Sequence, residues 1–304
     1  MNYDAIIVGG SYAGLSAAMQ IARAGRKVCI IDAGQPRNRF AAASHGFFGQ
    51  DGVPPRQMIA DAQAKLKAYP AVTMLDGVAK DACPEPNGFR ITLESGETVE
   101  ATKLVLAFGL IDVLPTIPGL AERWGRTVLH CPYCHGYELR GKQLGVLSVA
   151  ALSVHQALMI PDWGPTTFFL NGQAQPDELS CAKLAQRNVS IESQPVVGLE
   201  GQEPELSGVR LADGRLVQVA ALYLGSQTRM ASSLAEHLGC AFDDGPFGPI
   251  IRTDAARLTT VPGVYAAGDI ARVPHNATWA SADGVTAGSS LHQALIFEPL
   301  AALS

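Results

Sequence analysis

The chain begins with a segment that leaves little freedom in how it folds. Asp4–Val8 (DAIIV) reads as a short buried strand. It runs into Gly9-Gly10-Ser11-Tyr12-Ala13-Gly14, and then into small and apolar residues at helical spacing from Leu15 to Arg23. Gly25 ends that helix, and a second apolar strand, Lys27–Ile31, closes on Asp32. Strand, glycine turn, helix, strand, acid is the order of a βαβ dinucleotide-binding unit. Gly9 permits the tight turn, and Gly14 lets the helix lie close to the strand. The helix N-terminus offers free N–H groups and the positive end of its dipole to a pyrophosphate. Asp32 suits a ribose 2′-hydroxyl and repels a 2′-phosphate. One position departs from the usual fingerprint: Ser11 stands where the second glycine is expected, a small residue whose hydroxyl can bond a phosphate oxygen.

The remaining composition excludes several classes. The net charge is -5 over 304 residues, against the basic patch that a nucleic-acid partner requires. No apolar run reaches the roughly 18 residues of a membrane span. Met1–Asp4 carries no basic leader segment, so a cytoplasmic protein is expected. A length of 304 residues fits two domains.

Six cysteines are present: Cys29, Cys83, Cys131, Cys134, Cys181 and Cys240. Only Cys131-Pro132-Tyr133-Cys134 has an informative spacing. A zinc knuckle needs two further ligands at similar spacing, and the chain has no second C-x-x-C and no H-x-x-x-H. No metal site is expected. His130 and His135 lie too close in sequence to complete a tetrahedral set easily. The redox reading is the stronger: two intervening residues at the start of a helix let the sulfurs meet, and nearby imidazoles lower the thiol pKa.

Towards the C-terminus, Val261–Asp269 reads as a strand ending in Gly268-Asp269, followed by Asn276-Ala277-Thr278 and a helical run. This resembles the second FAD fingerprint of two-dinucleotide-binding flavoproteins. The resemblance makes Asp269 a ribityl ligand and puts Ala277 and Thr278 near the electron-rich edge of the flavin ring, where a helix dipole favours the anionic reduced form. A third element, Lys103–Gly109, resembles the strand that leaves the FAD domain in that superfamily, with Phe108 in place of a threonine and Gly109 at the exit. The FAD-binding domain is then discontinuous, 1–114 plus 246–304, with 115–245 as the insert.

The order of these motifs resembles the low-molecular-weight thioredoxin reductase family over essentially the whole chain. The segment Cys131–Glu138 is most similar to the dithiol-oxidase branch, which closes disulfides in natural products of the gliotoxin and holomycin type. The resemblance implies an α/β fold of two Rossmann-like domains, the second inserted into the first, FAD as cofactor and a homodimer. It makes Cys134 the sulfur next to the flavin and Cys131 the one facing substrate, and it puts His135 where the reductases carry an acidic proton donor. Arg37 and Asn38, just after the ribose acid, are expected either to contact adenine or phosphate or to brace the loop. His45 is expected to line the flavin, and His275 either lies near the cysteine pair or in a solvated loop.

A nicotinamide site is not legible in the insert. Its strand, Lys142–Leu147, is followed by Ser148-Val149-Ala150 where the reductases have three glycines, and no Arg or Lys lies between Lys142 and Lys183 to bind a 2′-phosphate. The expected function is FAD-dependent oxidation of a small-molecule dithiol with O2 as acceptor. Three alternatives stay open: a thioredoxin-like disulfide reductase fed by ferredoxin or another protein, an NADPH-dependent thioredoxin reductase, and a flavin-bearing redox sensor.

Overall fold

The computed structural model describes residues 2–150 and 152–301. These form two compact units, one of Met1–Arg39, Pro55–Ile111 and Thr228–Ser304, the other of Phe40–Pro54 and Asp112–Gln227.

The first unit is built on β1 (Asn2–Val8), α1 (Tyr12–Arg23), β2 (Val28–Asp32), α2 (Pro55–Lys67), β3 (Val72–Asp76), β4 (Ala79–Glu85), β5 (Gly88–Leu93) and β6 (Thr98–Leu106). Its sheet runs β3-β2-β1-β6-β5-β4. β1 lies parallel to both β2 and β6, while β5 is antiparallel to the first half of β6. The second half of β6 pairs in parallel with Val264–Ala266. The side chains explain why this sheet is covered on both sides. Ile6, Val8, Cys29 and Ile31 enter one apolar cluster; Ala5, Ile7, Val28 and Ile30 enter another. A strand apolar at every position can bury two faces, which is the signature of a parallel α/β sheet. Each such side chain contributes about 1.5–3 kcal/mol when fully buried.

On one face α1 packs against the C-terminal helix Ala277–Ala301. Gly284 and Gly288 make this close approach possible: a Cβ at either would lie 2.0 Å from the Ala13 carbonyl oxygen or 2.5 Å from that of Ala17. Thus the helix after the Gly-Asp motif is locked to the helix after the glycine turn.

The second unit holds a five-stranded parallel sheet. Its strands are β7 (Val128–Leu129), β8 (Leu144–Leu147), β9 (Thr166–Phe169), β10 (Ser190–Glu192) and β11 (Ala221–Tyr223), in the order β10-β9-β8-β11-β7. Between β7 and β8 stands the one-turn helix α3 (Pro132–His135), and after β8 comes α4 (Ser153–Met159). An antiparallel three-stranded sheet, Val196–Gln218, completes the unit.

Two segments group differently from the boundaries read in the sequence. Residues 228–245 belong to the first unit, because Met230, Leu234, Ala235, Leu238 and Cys240 bury into the cluster that contains Ile6 and Leu104. Residues 40–54 belong to the second: Phe40 packs on Gly125, and His45 faces Glu138. Neither segment carries a motif, so its allegiance is decided by packing alone. Among the described residues no helix is long and apolar enough to cross a membrane.

Candidate functional site

The glycine turn of the first unit has the geometry of an anion cradle. Gly9 has φ +116°, and a Cβ there would meet the Ala107 carbonyl oxygen at 2.2 Å. Gly14 passes so close to the turn that a Cβ would lie 1.8 Å from the Gly9 oxygen. Ser11 is the N-cap of α1 but its hydroxyl caps no helix N–H, which leaves the first turn of a twelve-residue helix open to an acceptor. Asp32 is held at the same end: its Oδ1 accepts from the Gly10 N–H at 3.1 Å.

The loop after Asp32 reaches two other elements of the same unit. The Asn38 amide donates to the Tyr12 hydroxyl at 3.0 Å, while its Oδ1 is buried with no hydrogen-bond partner in the protein. Arg37 donates from Nη1 to Asp269 Oδ2 at 3.0 Å and lies 2.7 Å from His275 Nδ1. An arginine has no acceptor to offer, so that ring nitrogen accepts and His275 is neutral in this contact. Gly268 (φ +83°) brings the Gly-Asp turn to within 3.0 Å of Ala13, measured from a Cβ built on the glycine. Asn276 caps the C-terminal helix by accepting the Thr278 N–H at 2.8 Å, with Ala277 as the first helical residue. Gly9, Ser11, Ala13, Gly14, Asp32, Arg37, Asn38, Gly268 and Asp269 are therefore gathered at one end of the first unit. Gly109 directly follows Ala107 and Phe108, whose backbone abuts Gly9; it takes a left-handed turn (φ +75°) after β6, and its carbonyl accepts from Ala231 N–H at 3.1 Å. His275, which the sequence left between two places, sits on Arg37 and against the Phe247 ring.

The second unit carries the cysteines. β7 ends at Leu129, and Cys131 forms the N-cap of α3 with Pro132 at the first helical position, where its missing N–H costs nothing. Gly136 ends the turn hard against Trp163, whose indole would be 2.7 Å from a Cβ, and Tyr133 stacks edge-on to the same indole at 5.7 Å. Trp163 thus fixes the turn from below, while Tyr133 and Tyr137 stay exposed around it. Cys131 and Cys134 are both half-buried and carry free thiols that are hydrogen-bonded to each other. That hydrogen bond, then burial, then the charge of Cys131 push the Cys134 thiol far up. The reduced pair therefore holds its second proton tightly, shared between the sulfurs.

Around the pair lies a chain of titratable groups. His45 stands 3.4 Å from Asp51 through Nδ1 and 3.5 Å from Glu138 through Nε2. Burial holds His135 below the usual imidazole range, helped by the charge of His45 and opposed by Glu138. A neutral His135 can accept a proton at neutral pH. His45 was expected to line the flavin; the structure places it between Asp51 and Glu138, on the segment Phe40–Pro54 that groups with Asp112–Gln227, contacts that no motif could signal. Cys29, by contrast, is pushed up to about 11 by burial in the sheet and is inert. Among the described residues no group of three or more His, Cys, Asp and Glu side chains could hold a metal ion.

The second Rossmann unit differs at its turn. After β8 the Ser148 N–H is taken by the Phe169 carbonyl at 2.8 Å. The next two N–H groups, of Val149 and Ala150, both point to the Ser153 hydroxyl, at 3.1 and 3.3 Å. Ser153 is buried. The amides that would cradle a pyrophosphate are thus satisfied from within the loop. Ala151 lies outside the described residues.

A dinucleotide cradle and a C-x-x-C dithiol in one chain define a flavin-linked disulfide oxidoreductase. The chain belongs to the pyridine nucleotide-disulphide oxidoreductase family, whose model matches residues 3–154 and 174–284. It is 33% identical to thioredoxin reductase tcpT of Claviceps purpurea, over 94% of this chain and 92% of that one. It is 31% identical to thioredoxin reductase sirT of Leptosphaeria maculans, over 99% and 97%. Among solved structures it resembles an oxidoreductase from Agrobacterium tumefaciens (44% identity, TM-score 0.94, 98% and 99% covered) and HlmI (32%, TM-score 0.93, 99% and 95%). The protein is accordingly a thioredoxin reductase-like oxidoreductase acting on sulfur groups, with FAD as its cofactor. The residues fit that cofactor: an uncapped helix N-terminus, a glycine cradle that a Cβ would fill, and an unpartnered buried Asn38 oxygen meet at one place.

Proposed function

We propose that this enzyme oxidises a small dithiol to a disulfide and passes the electrons through Cys131–Cys134 to FAD and then to O2. The observation that carries the proposal is the turn after β8, where Ser153 occupies the Val149 and Ala150 amides and no Arg or Lys follows until Lys183. An NADPH-fed enzyme needs those amides for the pyrophosphate and cations for the 2′-phosphate. Electrons then enter at the dithiol. The resemblance of Cys131–Glu138 to the dithiol-oxidase branch supports the same direction.

In the oxidised enzyme a substrate thiolate attacks Cys131 Sγ. The Cys131–Cys134 bond breaks, and Cys134 leaves as a thiolate. The second substrate thiolate attacks the substrate sulfur and expels Cys131. The substrate has then lost two electrons and two protons, and the enzyme holds the reduced pair. His135, neutral and half-buried, takes a thiol proton during this exchange. Burial sets the basicity of that imidazole first, and the charges of His45 and Glu138 adjust it in opposite directions. The exposed Tyr133 and Tyr137 offer apolar faces to a compact substrate. Asp32, Asp269 and the Gly9–Gly14 cradle would hold FAD, which would supply the two-electron acceptor between the dithiol and O2.

The test is anaerobic bleaching followed by oxygen uptake. Dithiothreitol bleaches the flavin, and in air it drives oxygen consumption with peroxide formed, whereas millimolar NADPH or NADH bleaches it slowly or not at all. Complete bleaching by NADPH within seconds overturns the proposal. Negligible oxygen uptake combined with fast reduction by ferredoxin reverses the direction of electron flow.

A further inference from the structure

Tyr223 is the last residue of β11 and sits in register with Leu129 of β7, two residues before Cys131. The Leu224 N–H donates to the Leu129 carbonyl at 2.9 Å, which ties the end of β11 to the chain that enters the cysteine turn. From the other side Gln156 of α4 donates to the His130 carbonyl at 2.8 Å. The approach to Cys131 is thus clamped between β11 and α4.

The Tyr223 side chain is fully buried, yet its hydroxyl has no hydrogen-bond partner in the protein. Buried tyrosines normally find one, and an orphaned buried donor weakens the fold. A phenylalanine would fill the same apolar cluster, with Leu129, Ala157 and Ile160, without that cost. Burial comes first among the causes that push the Tyr223 phenol up; the charges of Cys131, Glu138 and Cys134 follow in that order. The hydroxyl therefore stays protonated, a donor within the electrostatic reach of groups that can carry negative charge.

We propose that the Tyr223 hydroxyl is a positioning and electrostatic residue for the dithiol, donating a hydrogen bond to Cys131 when that sulfur becomes a thiolate. The inference rests on the exchange described above, in which Cys131 is the sulfur expelled as product forms. A donor that is unpaired while both sulfurs are thiols, as here, and paired when Cys131 is charged, stabilises the thiolate more than the thiol. Its partner is a thiolate, so the hydrogen bond belongs to the stronger, charge-assisted class.

The experiment compares holoenzyme carrying Cys134→Ser with holoenzyme carrying Cys134→Ser and Tyr223→Phe. The rate of Cys131 alkylation by iodoacetamide is followed against pH by mass spectrometry. Glu138, His130, His135 and His45, the other titratable groups around the pair, are the same in both proteins, so the difference between midpoints reports the hydroxyl. Loss of a hydrogen bond to a charged group should raise the Cys131 midpoint by about one to two pH units, and slow alkylation about ten- to a hundredfold at pH values below both midpoints. A ring-fluorinated tyrosine at 223, nearly the same shape and a stronger donor, should lower the midpoint. Melting temperatures of the two proteins are read alongside, and Tyr223→Phe should leave the value unchanged or raise it. A midpoint that does not move overturns the inference, and a melting temperature lowered by several degrees with an unmoved midpoint assigns the hydroxyl to packing instead. Alkylation needs neither a dithiol substrate nor oxygen, so failure here is distinguishable from failure of the proposed function.

Discussion

Ser153→Ala isolates the feature on which the direction of electron flow rests. In the structure one hydroxyl accepts two backbone N–H groups, at 3.1 and 3.3 Å, and the serine is 2% exposed. Removing it leaves both donors without a partner. Each neutral hydrogen bond contributes about 0.5–1.5 kcal/mol net, so the pair together is worth about 1–3 kcal/mol. Val149 and Ala150 are only half-buried, so water partly replaces the lost acceptor and the lower half of that range is expected. For a domain of this size about 1 kcal/mol lowers the melting temperature by about 2–8 °C. Calorimetry with near-ultraviolet circular dichroism reads that shift for the protein fold, while flavin fluorescence separately reads cofactor release. The variant should melt several degrees lower and keep its FAD. It should also remain unreactive with NADPH, because freeing two amides supplies neither the glycines nor the missing cations. If the melting temperature is unchanged and NADPH now bleaches the flavin, then the loop is a working nucleotide site with a removable plug. The reasoning about electron entry then fails.

Two further outcomes follow from the site. Asp269→Ala removes a carboxylate that is placed by Arg37; loss of a charged hydrogen bond of about 1.5–3 kcal/mol should weaken FAD retention about ten- to a hundredfold, measured by flavin released on ultrafiltration. For His135→Ala, turnover with a small dithiol should fall about a hundred- to ten-thousandfold with FAD still bound. The wild-type pH–rate profile carries the sign of the histidine's shift: burial lowers its pKa, so the neutral, proton-accepting form persists down to pH values below the usual imidazole range, and activity is lost as pH falls through that lowered value. An acid limb that is unchanged in His135→Ala removes this residue from the mechanism.

The first βαβ unit was legible from Asp4 to Asp32 because backbone requirements dictate residue type there. Gly9 and Gly14 cannot be replaced without a Cβ overlapping main-chain atoms, and a sheet buried on both faces must be apolar at every position. Cys131 and Cys134 were legible by spacing. What the sequence hid is long-range packing between side chains that have no local pattern. Arg37 and Asp269 are 232 positions apart, and nothing in either neighbourhood requires the other. His45 and Glu138 meet only because a loop of one stretch folds onto another. Tyr223 reads as an ordinary apolar strand position, since its distinguishing feature is a hydroxyl with no partner, and a missing contact leaves no trace in sequence.

Retention of the second Rossmann unit without a legible nicotinamide site has a physical basis in how the cysteine turn is held. A one-turn helix of four residues has almost no stability of its own, since nucleation alone is unfavourable. Its geometry must come from neighbours. Trp163 sits under Gly136 and beside Tyr133, the Trp163 carbonyl accepts the Gly141 N–H at 2.7 Å, Gln156 holds His130, and β11 holds Leu129. Trp163 and Gln156 belong to the α4 crossover between β8 and β9, the same crossover that in an NADPH-binding relative would begin at the pyrophosphate. If no nucleotide binds there, as proposed above, the loop at the start of α4 is free to differ but the helix itself is not, because the dithiol depends on its far side. On this reading Ser153 is the compensation: it satisfies the amides that a phosphate would otherwise have satisfied and keeps the first turn of α4 in place.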